Sequence, residues 1–275
     1  MNCVQFLQWA LPRMGMRWKG FRKVRRQVCR RIRRRMAELG VEGEPGYQAY
    51  LEANPDEWRE LRRLCRVTIS RFRRDQGVWR ALEEEVIPEL ARLPSPSGSS
   101  HAAPPALRAW SAGCASGEEP YTLSLLWALR LQHDLPHRTL EILATDVDPT
   151  VLERARAGVY DESSLQELSR DWVEAGFTRE GERYRIRPPI QEPVEFGQAD
   201  LLEEIPPGPF HLILCRNLLL TYFDEPTAAR GLERMLASLA KGGALVVGSH
   251  EEPPTCRDWP LERWIRAEPI YRKTG

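Results

Sequence analysis

The chain has 275 residues, enough for one large domain or for a large domain joined to a small one. Its 40 basic and 39 acidic residues nearly cancel, and no apolar run reaches the roughly 18 residues that span a bilayer. The six cysteines are scattered, without a Cys-x-x-Cys pair or a histidine cluster, which argues against a metal site and against a disulfide framework. We therefore expect a soluble, cytoplasmic protein without a bound metal or a transmembrane segment.

The N-terminal segment is strongly basic. Its first 37 residues contain no acidic residue, and twelve lysines and arginines lie between Arg13 and Arg35. This predicts a local basic surface, suited to nucleic acid, an anionic membrane or an acidic protein. No nucleic-acid recognition motif accompanies the arginines, so nucleic acid is not the expected partner. A solvated arginine face around an apolar stripe is the plainer interpretation.

Residues 1–93 have a helical pattern and predict a small all-helical N-terminal domain. Apolar residues recur at three- and four-residue steps from Phe21 to Leu39, which predicts a helix that ends at Gly40. Two shorter helices follow, and we expect Asn54 to be the N-cap of the second, with Pro55 at its first helical position.

Residues 94–105 hold four prolines, four serines and a glycine, which predicts a linker. Residues 106–275 then alternate short apolar runs with helical patterns, which predicts an α/β domain with a doubly wound, mostly parallel sheet. Its predicted strands cover 107–112, 141–145, 194–198, 210–215 and 244–248, and its predicted helices cover 121–132, 149–157 and 227–240. Ligands of such sheets lie at the carboxyl ends of the strands.

The first of these strands ends in "WSAGCASGEEPY", a turn with glycines at 113 and 117. It lacks the third glycine of a dinucleotide-binding loop, and Glu118 and Glu119 at the start of the next helix would repel a phosphate. We expect Gly113 and these glutamates to face a ligand that carries positive charge, such as an ammonium or a sulfonium group. A small-residue turn is weak evidence when it stands alone.

Polar residues follow the later strands at matching positions. Asp146 is placed to bind ribose hydroxyls, whereas Asp148 is better interpreted as the N-cap of the following helix. Asp200 and Leu201 could bracket an adenine, and Asn217 would lie beside the same cleft. Each has a plainer interpretation, as a helix cap or as a partner of loop backbone. Together they describe S-adenosylmethionine better than a nicotinamide dinucleotide.

At this point the sequence resembles the CheR-type methyltransferases, S-adenosylmethionine-dependent enzymes that methylate glutamates of bacterial chemotaxis receptors. The resemblance covers nearly the whole chain and rests on five motifs in family order: "WSAGCASGEEPYTL", "EILATDVDPTVLERARAGVY", "VEFGQADLL", "FHLILCRNLLLTYFD" and "LAKGGALVVGSHE". In the helical part, "VTISRFRRD" resembles the family signature N-x-T-x-F-F-R-D.

The resemblance implies a site shared by both parts of the chain. It assigns Thr68, Ser70 and Arg74 of the helical part to the cofactor, and it gives Arg74 and Tyr222 catalytic roles near the methyl group. From the sheet it assigns Glu118 or Glu119, Asp146, Asp200 with Leu201, and Asn217 with Leu218. It also implies S-adenosylhomocysteine as the product, and a small antiparallel β-hairpin insertion near 171–193, with a turn at Gly181.

Three departures from the family pattern leave the methyl acceptor open. Arg73 replaces a phenylalanine, one residue is added between Asn217 and Tyr222, and "GSHE" replaces "GHSE". The expected acceptor is a glutamate of an acidic, receptor-like protein. The alternatives are another acceptor such as a small molecule, for which His250 could be a base, and a cofactor-binding scaffold without turnover.

Overall fold

The computed structural model describes residues 1–68, 70–94 and 105–275, so the predicted linker lies almost wholly outside the described residues. The part before it is helical. Its helices are α1 (Cys3–Arg13), α2 (Trp18–Phe21), α3 (Arg25–Leu39), α4 (Gly43–Ala53), α5 (Glu57–Leu64), α6 (Gln76–Ala81) and α7 (Ile87–Leu90), with a π-helical turn over Leu82–Val86 between the last two.

The apolar stripe from Phe21 to Leu39 belongs to two helices instead of one. Phe21 ends α2, and α3 begins only at Arg25 after a turn. The stripe continues on α3, where Val28 and Ile32 are fully buried. The predicted end at Gly40 is confirmed, because this residue has a φ of 68° and caps α3 in the left-handed conformation that glycine favours.

The prediction that Asn54 caps the start of a helix is wrong. Asn54 closes the end of α4 instead: its backbone N–H and its side-chain amide both donate to the carbonyl of Tyr50, at 2.9 and 2.8 Å. Helix α5 begins at Glu57, after Pro55 and Asp56 have formed a turn. A polar residue before Pro is compatible with the end of one helix and with the start of the next. The Asn-Pro pattern alone therefore does not distinguish the two positions.

The cysteines form one disulfide, contrary to the sequence expectation. Cys3 at the start of α1 is bonded to Cys29 of α3, 26 residues away. The two helices share a hydrophobic cluster, and this tertiary proximity leaves no trace in cysteine spacing. Of the remaining cysteines, three are buried and Cys256 is exposed.

The part after the predicted linker alternates strands and helices. In chain order they are β1 (Ala106–Ala112), α8 (Glu118–Leu126), β2 (Thr139–Asp146), α9 (Pro149–Ala157), β3 (Val159–Asp161), α10 (Glu162–Leu165), α11 (Arg170–Gly176), β4 (Phe177–Glu180), β5 (Arg183–Ile186), α12 (Pro188–Gln191), β6 (Val194–Gln198), β7 (Phe210–Cys215), α13 (Leu219–Tyr222), α14 (Glu225–Ser238), β8 (Leu239–Val247), β9 (Leu261–Ile265) and β10 (Ile270–Lys273), and a π-helical turn over Trp127–Leu131 extends α8.

The predicted α/β fold with a mostly parallel sheet is confirmed. Seven strands form the main sheet in the order β6-β2-β1-β7-β8-β10-β9. The first five are parallel, and β10 runs antiparallel to its neighbours β8 and β9. Strand order reverses beside β1, and in open parallel sheets this switch point is where ligands bind.

Both faces of the sheet are buried, as the continuous apolar strands predict. Trp110 and Ile213 pack in one cluster with the helices α1 to α5. Their chain neighbours Ala109 and Leu212 pack in the other cluster, with α6, α7 and α8. Because side chains alternate along a strand, the two faces hold separate cores. Helices α1 to α5 pack on one face, and α6 and α7 pack on the other.

The predicted hairpin insertion is present within a small second sheet. Its strands lie in the order β3-β5-β4, all antiparallel. Gly181, with a φ of 64°, makes the turn between β4 and β5. The sheet has three strands because Val159–Asp161, directly after α9, pairs with β5.

Candidate functional site

A cleft of about 670 Å³ lies at the carboxyl ends of β1, β2, β6, β7 and β8. The helical part closes it from the other side, through the segment around α2 and through residues that follow α5. The two sides are joined directly: Met16 pairs with Phe223, and the N–H of Arg17 donates to the carbonyl of Tyr222 at 2.9 Å. The cleft is therefore built from both parts of the chain.

The structure brings nearly all of the predicted site residues to this cleft. Those that line it are Thr68, Ser70, Arg74, Gly113, Glu119, Asp146, Asp200, Leu201, Asn217, Leu218 and Tyr222. Glu118 is not among the lining residues and is 3% exposed. The hydroxyl of Ser116 donates to its two oxygens at 3.1 Å. Of the two glutamates that the sequence left open, Glu119 is the one on the cleft.

The turn after β1 is tied to the end of β2. The N–H groups of Gly113 and Cys114 both donate to the carbonyl of Thr145, at 2.7 and 3.0 Å. Gly113 has a φ of 76°, and a Cβ there would lie 2.3 Å from the Cδ2 of Leu218. Glycine is therefore needed at this position for two reasons, the left-handed backbone and the side chain that lies over it.

Asp146 is held by backbone donors at the end of β2. Its two carboxylate oxygens accept from the N–H groups of Ala115 and Asp148, each at 3.0 Å. Burial raises the pKa of Asp146, while these two hydrogen bonds favour its ionised form. Asp148 is the N-cap of α9, as predicted, because its carboxylate accepts from the N–H of Thr150. Of the two aspartates after β2, Asp146 lines the cleft and Asp148 does not.

Arg216 is a cleft residue that is not among the site residues predicted from the sequence. Its guanidinium, with the side chain 4% exposed, pairs with Asp75 at 2.6 Å and with Glu119 at 3.4 Å. It also donates to the carbonyl of Arg74 at 2.8 Å. Burial raises the pKa of Glu119, and Arg216 opposes that shift. The ion pairs bind the segment that carries Arg74 to the sheet, and the motif "CRN" was the signal that could have identified Arg216.

Arg74 and Tyr222 lie on the same cleft from opposite parts of the chain. The Nη2 of Arg74 is 3.5 Å from the Oδ1 of Asn217. Tyr222 packs its ring 5.0 Å from that of Phe21, and burial raises the pKa of its hydroxyl. The Tyr222 hydroxyl is therefore protonated at neutral pH and can donate a hydrogen bond.

Arg73, which stands where the family pattern has a phenylalanine, does not place its charge in the cleft. Its N–H donates to the hydroxyl of Thr122 at 3.0 Å, and its guanidinium lies 4.6 Å from the ring centre of Trp172. It is not among the residues that line the cleft. The positive charge of Arg73 is therefore stabilised by the ring of Trp172 outside the cleft.

Charge is divided across the cleft. Basic side chains line it from the helical part: Arg17, Lys19, Arg22, Lys23, Arg62, Arg66, Arg71 and Arg74. Acidic side chains line it from the strand ends: Glu119, Asp146, Asp200 and Glu251. Arg216 is the basic residue on the strand side, and it is paired with Asp75 and Glu119. The two walls therefore suit ligand groups of opposite charge.

The remaining reactive side chains of the cleft are the thiols of Cys65 and Cys114 and an imidazole. Burial raises the pKa of Cys65 to about 12. Burial raises the pKa of Cys114 well above its ordinary range, so its thiol stays protonated, in line with a packing role. His250 lines the cleft and is exposed to solvent. Within residues 1–68, 70–94 and 105–275, no helix is long and apolar enough to cross a membrane, and no group of three acidic, histidine or cysteine residues is arranged for a metal ion.

Two family descriptions match the chain. "CheR methyltransferase, SAM binding domain" matches residues 68–261, and "CheR methyltransferase, all-alpha domain" matches residues 23–64. The range of the first match, residues 68–261, includes all of the cleft residues that come from the strand ends. It begins at Thr68, so it also includes the segment that carries Arg74.

The chain is similar to several curated proteins. It is 35% identical over 198 residues to a chemotaxis protein methyltransferase of Listeria monocytogenes, covering 72% of this chain and 70% of that one. It is 30% identical to a probable chemotaxis protein methyltransferase of Rhizobium etli, and the match covers 82% of this chain and 83% of that one. A 104.1 kDa protein of Rhodobacter capsulatus is 37% identical, and there the match covers 82% of this chain but 23% of the larger protein.

The SAM-binding description spans the strand ends that line the cleft at the switch point of the sheet. The SAM-binding description covers 194 of the 275 residues, counted from 68 to 261. The chain belongs to the CheR methyltransferase family, whose cofactor is S-adenosylmethionine.

Proposed function

We propose that the chain transfers the methyl group of S-adenosylmethionine to glutamate side chains of an acidic, receptor-like protein. The products are a glutamate methyl ester and S-adenosylhomocysteine. The division of charge across the cleft carries this proposal, because an acidic wall suits the cofactor and a basic wall suits an acidic acceptor. The relatives named as chemotaxis protein methyltransferases support it.

The residues of the strand side fit the cofactor. A cleft of about 670 Å³ is within the range that holds ligands of this size. Asp146 is placed to accept hydrogen bonds from a ribose, and Asp200 with Leu201 to flank an adenine. Glu119 faces the part of the cleft that suits an ammonium or sulfonium group. Gly113 keeps the floor of the turn open, since a Cβ there would reach Leu218.

The basic side of the cleft fits a carboxylate acceptor. When bound, the cofactor supplies a methyl group attached to a positively charged sulfur. A glutamate carboxylate is ionised at neutral pH, so no residue of the chain has to remove a proton before the acceptor reacts. The work of the protein is then alignment and electrostatics: Arg74 orients the acceptor carboxylate or the cofactor, and Tyr222 lines the path of the methyl group.

A different acceptor is the second candidate, and the position of His250 favours it. This exposed imidazole lines the cleft, where it could take a proton from an amine, a thiol or a hydroxyl. The added residue between Asn217 and Tyr222 also changes the loop beside the acceptor.

The two candidates differ in what becomes labelled. The full chain is incubated with S-adenosylmethionine carrying a labelled methyl group, and with either a chemotaxis-receptor preparation or a small-metabolite extract. We expect label in the receptor protein, and loss of that label when the acceptor glutamates are replaced by glutamine. Label confined to the metabolite extract would favour the second candidate. If the chain binds the cofactor but transfers the methyl group to neither preparation, the result would favour a cofactor-binding scaffold without turnover.

A further inference from the structure

Glu251 is a buried carboxylate directly after the last parallel strand. It is 5% exposed and follows β8 by a short turn, in which its own N–H donates to the carbonyl of Gly248 at 2.8 Å. It lines the cleft. The proposed function uses it only as one charge of the acidic wall and gives it no contact with the acceptor or the cofactor.

Three donors from two separate segments converge on this carboxylate. One oxygen accepts from the N–H of Asn217 at 2.9 Å and from the N–H of Gly248 at 2.6 Å. The other oxygen accepts from the hydroxyl of Thr221 at 2.5 Å. The side chain therefore connects the end of β8 to both ends of the loop that follows β7.

This loop, which includes the short helix α13 from Leu219 to Tyr222, carries the residues that face the cleft from β7. Asn217 has a φ of 56°, in the left-handed region that asparagine adopts more readily than most non-glycine residues. Its Oδ1 lies 3.5 Å from the Nη2 of Arg74. Leu218 lies over Gly113, and Tyr222 ends the loop. The orientation of all three depends on how the loop is held.

Thr221 lies in the stretch that is one residue longer than in the family pattern. An added residue would let the loop and its tyrosine shift, unless a new contact fixed it. The hydroxyl of Thr221 makes such a contact with Glu251, and the side chain of Arg17 donates to the carbonyl of Thr221 at 3.1 Å. The longer stretch is thus anchored at Thr221.

We propose that Glu251 is a positioning residue for methyl transfer, and that its hydrogen bond with Thr221 sets the position of the loop from Asn217 to Tyr222. The inference rests on the proposed function, since it takes this loop to contact the cofactor and the methyl path. Glu251 acts through the loop and does not itself touch the reacting atoms.

The variants follow from the hydrogen-bond pattern. Glu251→Met keeps a similar volume and removes both acceptor oxygens, which leaves two buried N–H groups without their partner. Glu251→Gln keeps one acceptor oxygen and can donate its amide to Thr221. Thr221→Val removes the hydroxyl at nearly constant volume, and Thr221→Ser keeps it. Glu252→Met is the matched control, because this neighbouring carboxylate has a side chain 79% exposed.

The test is the affinity of the full chain for S-adenosylhomocysteine, measured by isothermal titration calorimetry beside thermal unfolding of each variant. We expect Glu251→Met to weaken binding at least tenfold and Thr221→Val about fivefold, whereas Glu252→Met binds like the wild type. Glu251→Gln and Thr221→Ser should recover most of the affinity. Thr221→Val should weaken binding while its thermal unfolding midpoint stays unchanged. This combination separates a positioning role from a general loss of structure.

The outcomes separate the inference from the proposed function. If the wild type binds S-adenosylhomocysteine and both Thr221→Val and Glu251→Met bind equally well, the positioning role is overturned. If Glu251→Met does not fold, the affinity of Thr221→Val alone is the test, and wild-type affinity of this variant overturns the positioning role. A wild type that binds no S-adenosylhomocysteine overturns the proposed function first, and the inference with it.

Discussion

At the scale of one residue, backbone hydrogen bonds hold the carboxylate of Asp146 in a fixed orientation at the end of β2. Its carboxylate already accepts two backbone N–H groups, which fix its orientation, and it lines the cleft. Asp146→Asn removes the charge and turns one acceptor oxygen into a donor. We expect the affinity for S-adenosylhomocysteine to fall about tenfold or more, since hydrogen bonds to a charged group contribute about 1.5–3 kcal/mol.

Asp148→Asn is the matched control for this measurement. Asp148 caps α9 and is not among the cleft residues, and asparagine is an equally good N-cap. Calorimetric titration should therefore give wild-type affinity. Equal affinities of the two variants would remove Asp146 from the binding site.

Arg74 and Arg73 offer a test with adjacent residues of the same type. Arg74 lines the cleft, whereas Arg73 stacks on Trp172 outside it. At saturating cofactor we expect Arg74→Ala to lower turnover about 100-fold, the size of effect that one electrostatic contact has on a reaction. Arg73→Ala should lower the unfolding midpoint and leave the turnover of the folded protein within about twofold. Unchanged turnover in Arg74→Ala would refute its catalytic role.

Glu57 joins three helices of the N-terminal part. The Nε and Nη2 of Arg35 on α3 donate to its two oxygens at 2.9 and 2.8 Å, and the hydroxyl of Tyr47 on α4 donates at 2.8 Å. These contacts with Arg35, and then with Tyr47, lower the pKa of Glu57 in spite of burial. We expect Glu57→Gln to reduce the free energy of unfolding by about 2 kcal/mol at pH 7, measured by urea denaturation.

The pH dependence of this loss has a definite sign. Because the pKa in the folded protein is below the ordinary 4.5, the stabilisation is present above about pH 4.5 and is lost as pH falls through the lowered pKa. The difference between wild type and Glu57→Gln should therefore shrink in acid. Glu60→Gln, which breaks a more exposed pair with Arg63, should cost less than about 1 kcal/mol. A difference that grows in acid would contradict this account.

The disulfide between α1 and α3 encloses the segment that forms part of the cleft wall. It closes a loop that contains α2, and residues around α2 line the cleft. Under oxidising conditions we expect Cys29→Ser to lower the free energy of unfolding by about 3 kcal/mol, from the lost constraint on the unfolded chain. In excess dithiothreitol the variant and the wild type should have the same urea midpoint. A variant as stable as the oxidised wild type would show that the bond does not form.

At the scale of the whole molecule, the features that the sequence could predict are those with a local signature. Strand β7 and helix α9 have the predicted bounds, because an apolar run marks the strand and a Pro after an N-cap marks the helix. The cleft residues Gly113, Asp146 and Asn217 follow from one rule, that parallel strands end at the same edge of the sheet.

The features that the sequence could not predict depend on contacts between distant segments. Cys3 meets Cys29, Arg35 meets Glu57, and Glu251 meets Thr221 only after the helices and strands have packed. The direction of Arg73 was missed for the same reason, because its partner Trp172 is a hundred residues away in another element. Periodicity and spacing carry no information about such pairs.

The central claim is that this cleft makes glutamate methyl esters, and the stability of the product to base tests it most directly. Receptor protein labelled by the full chain from S-adenosylmethionine is treated with mild alkali, and the volatile label is counted. The account predicts that nearly all of the label is released as methanol, since esters hydrolyse under these conditions and methylated amines do not. Label that stays on the protein after alkali would contradict carboxyl methylation.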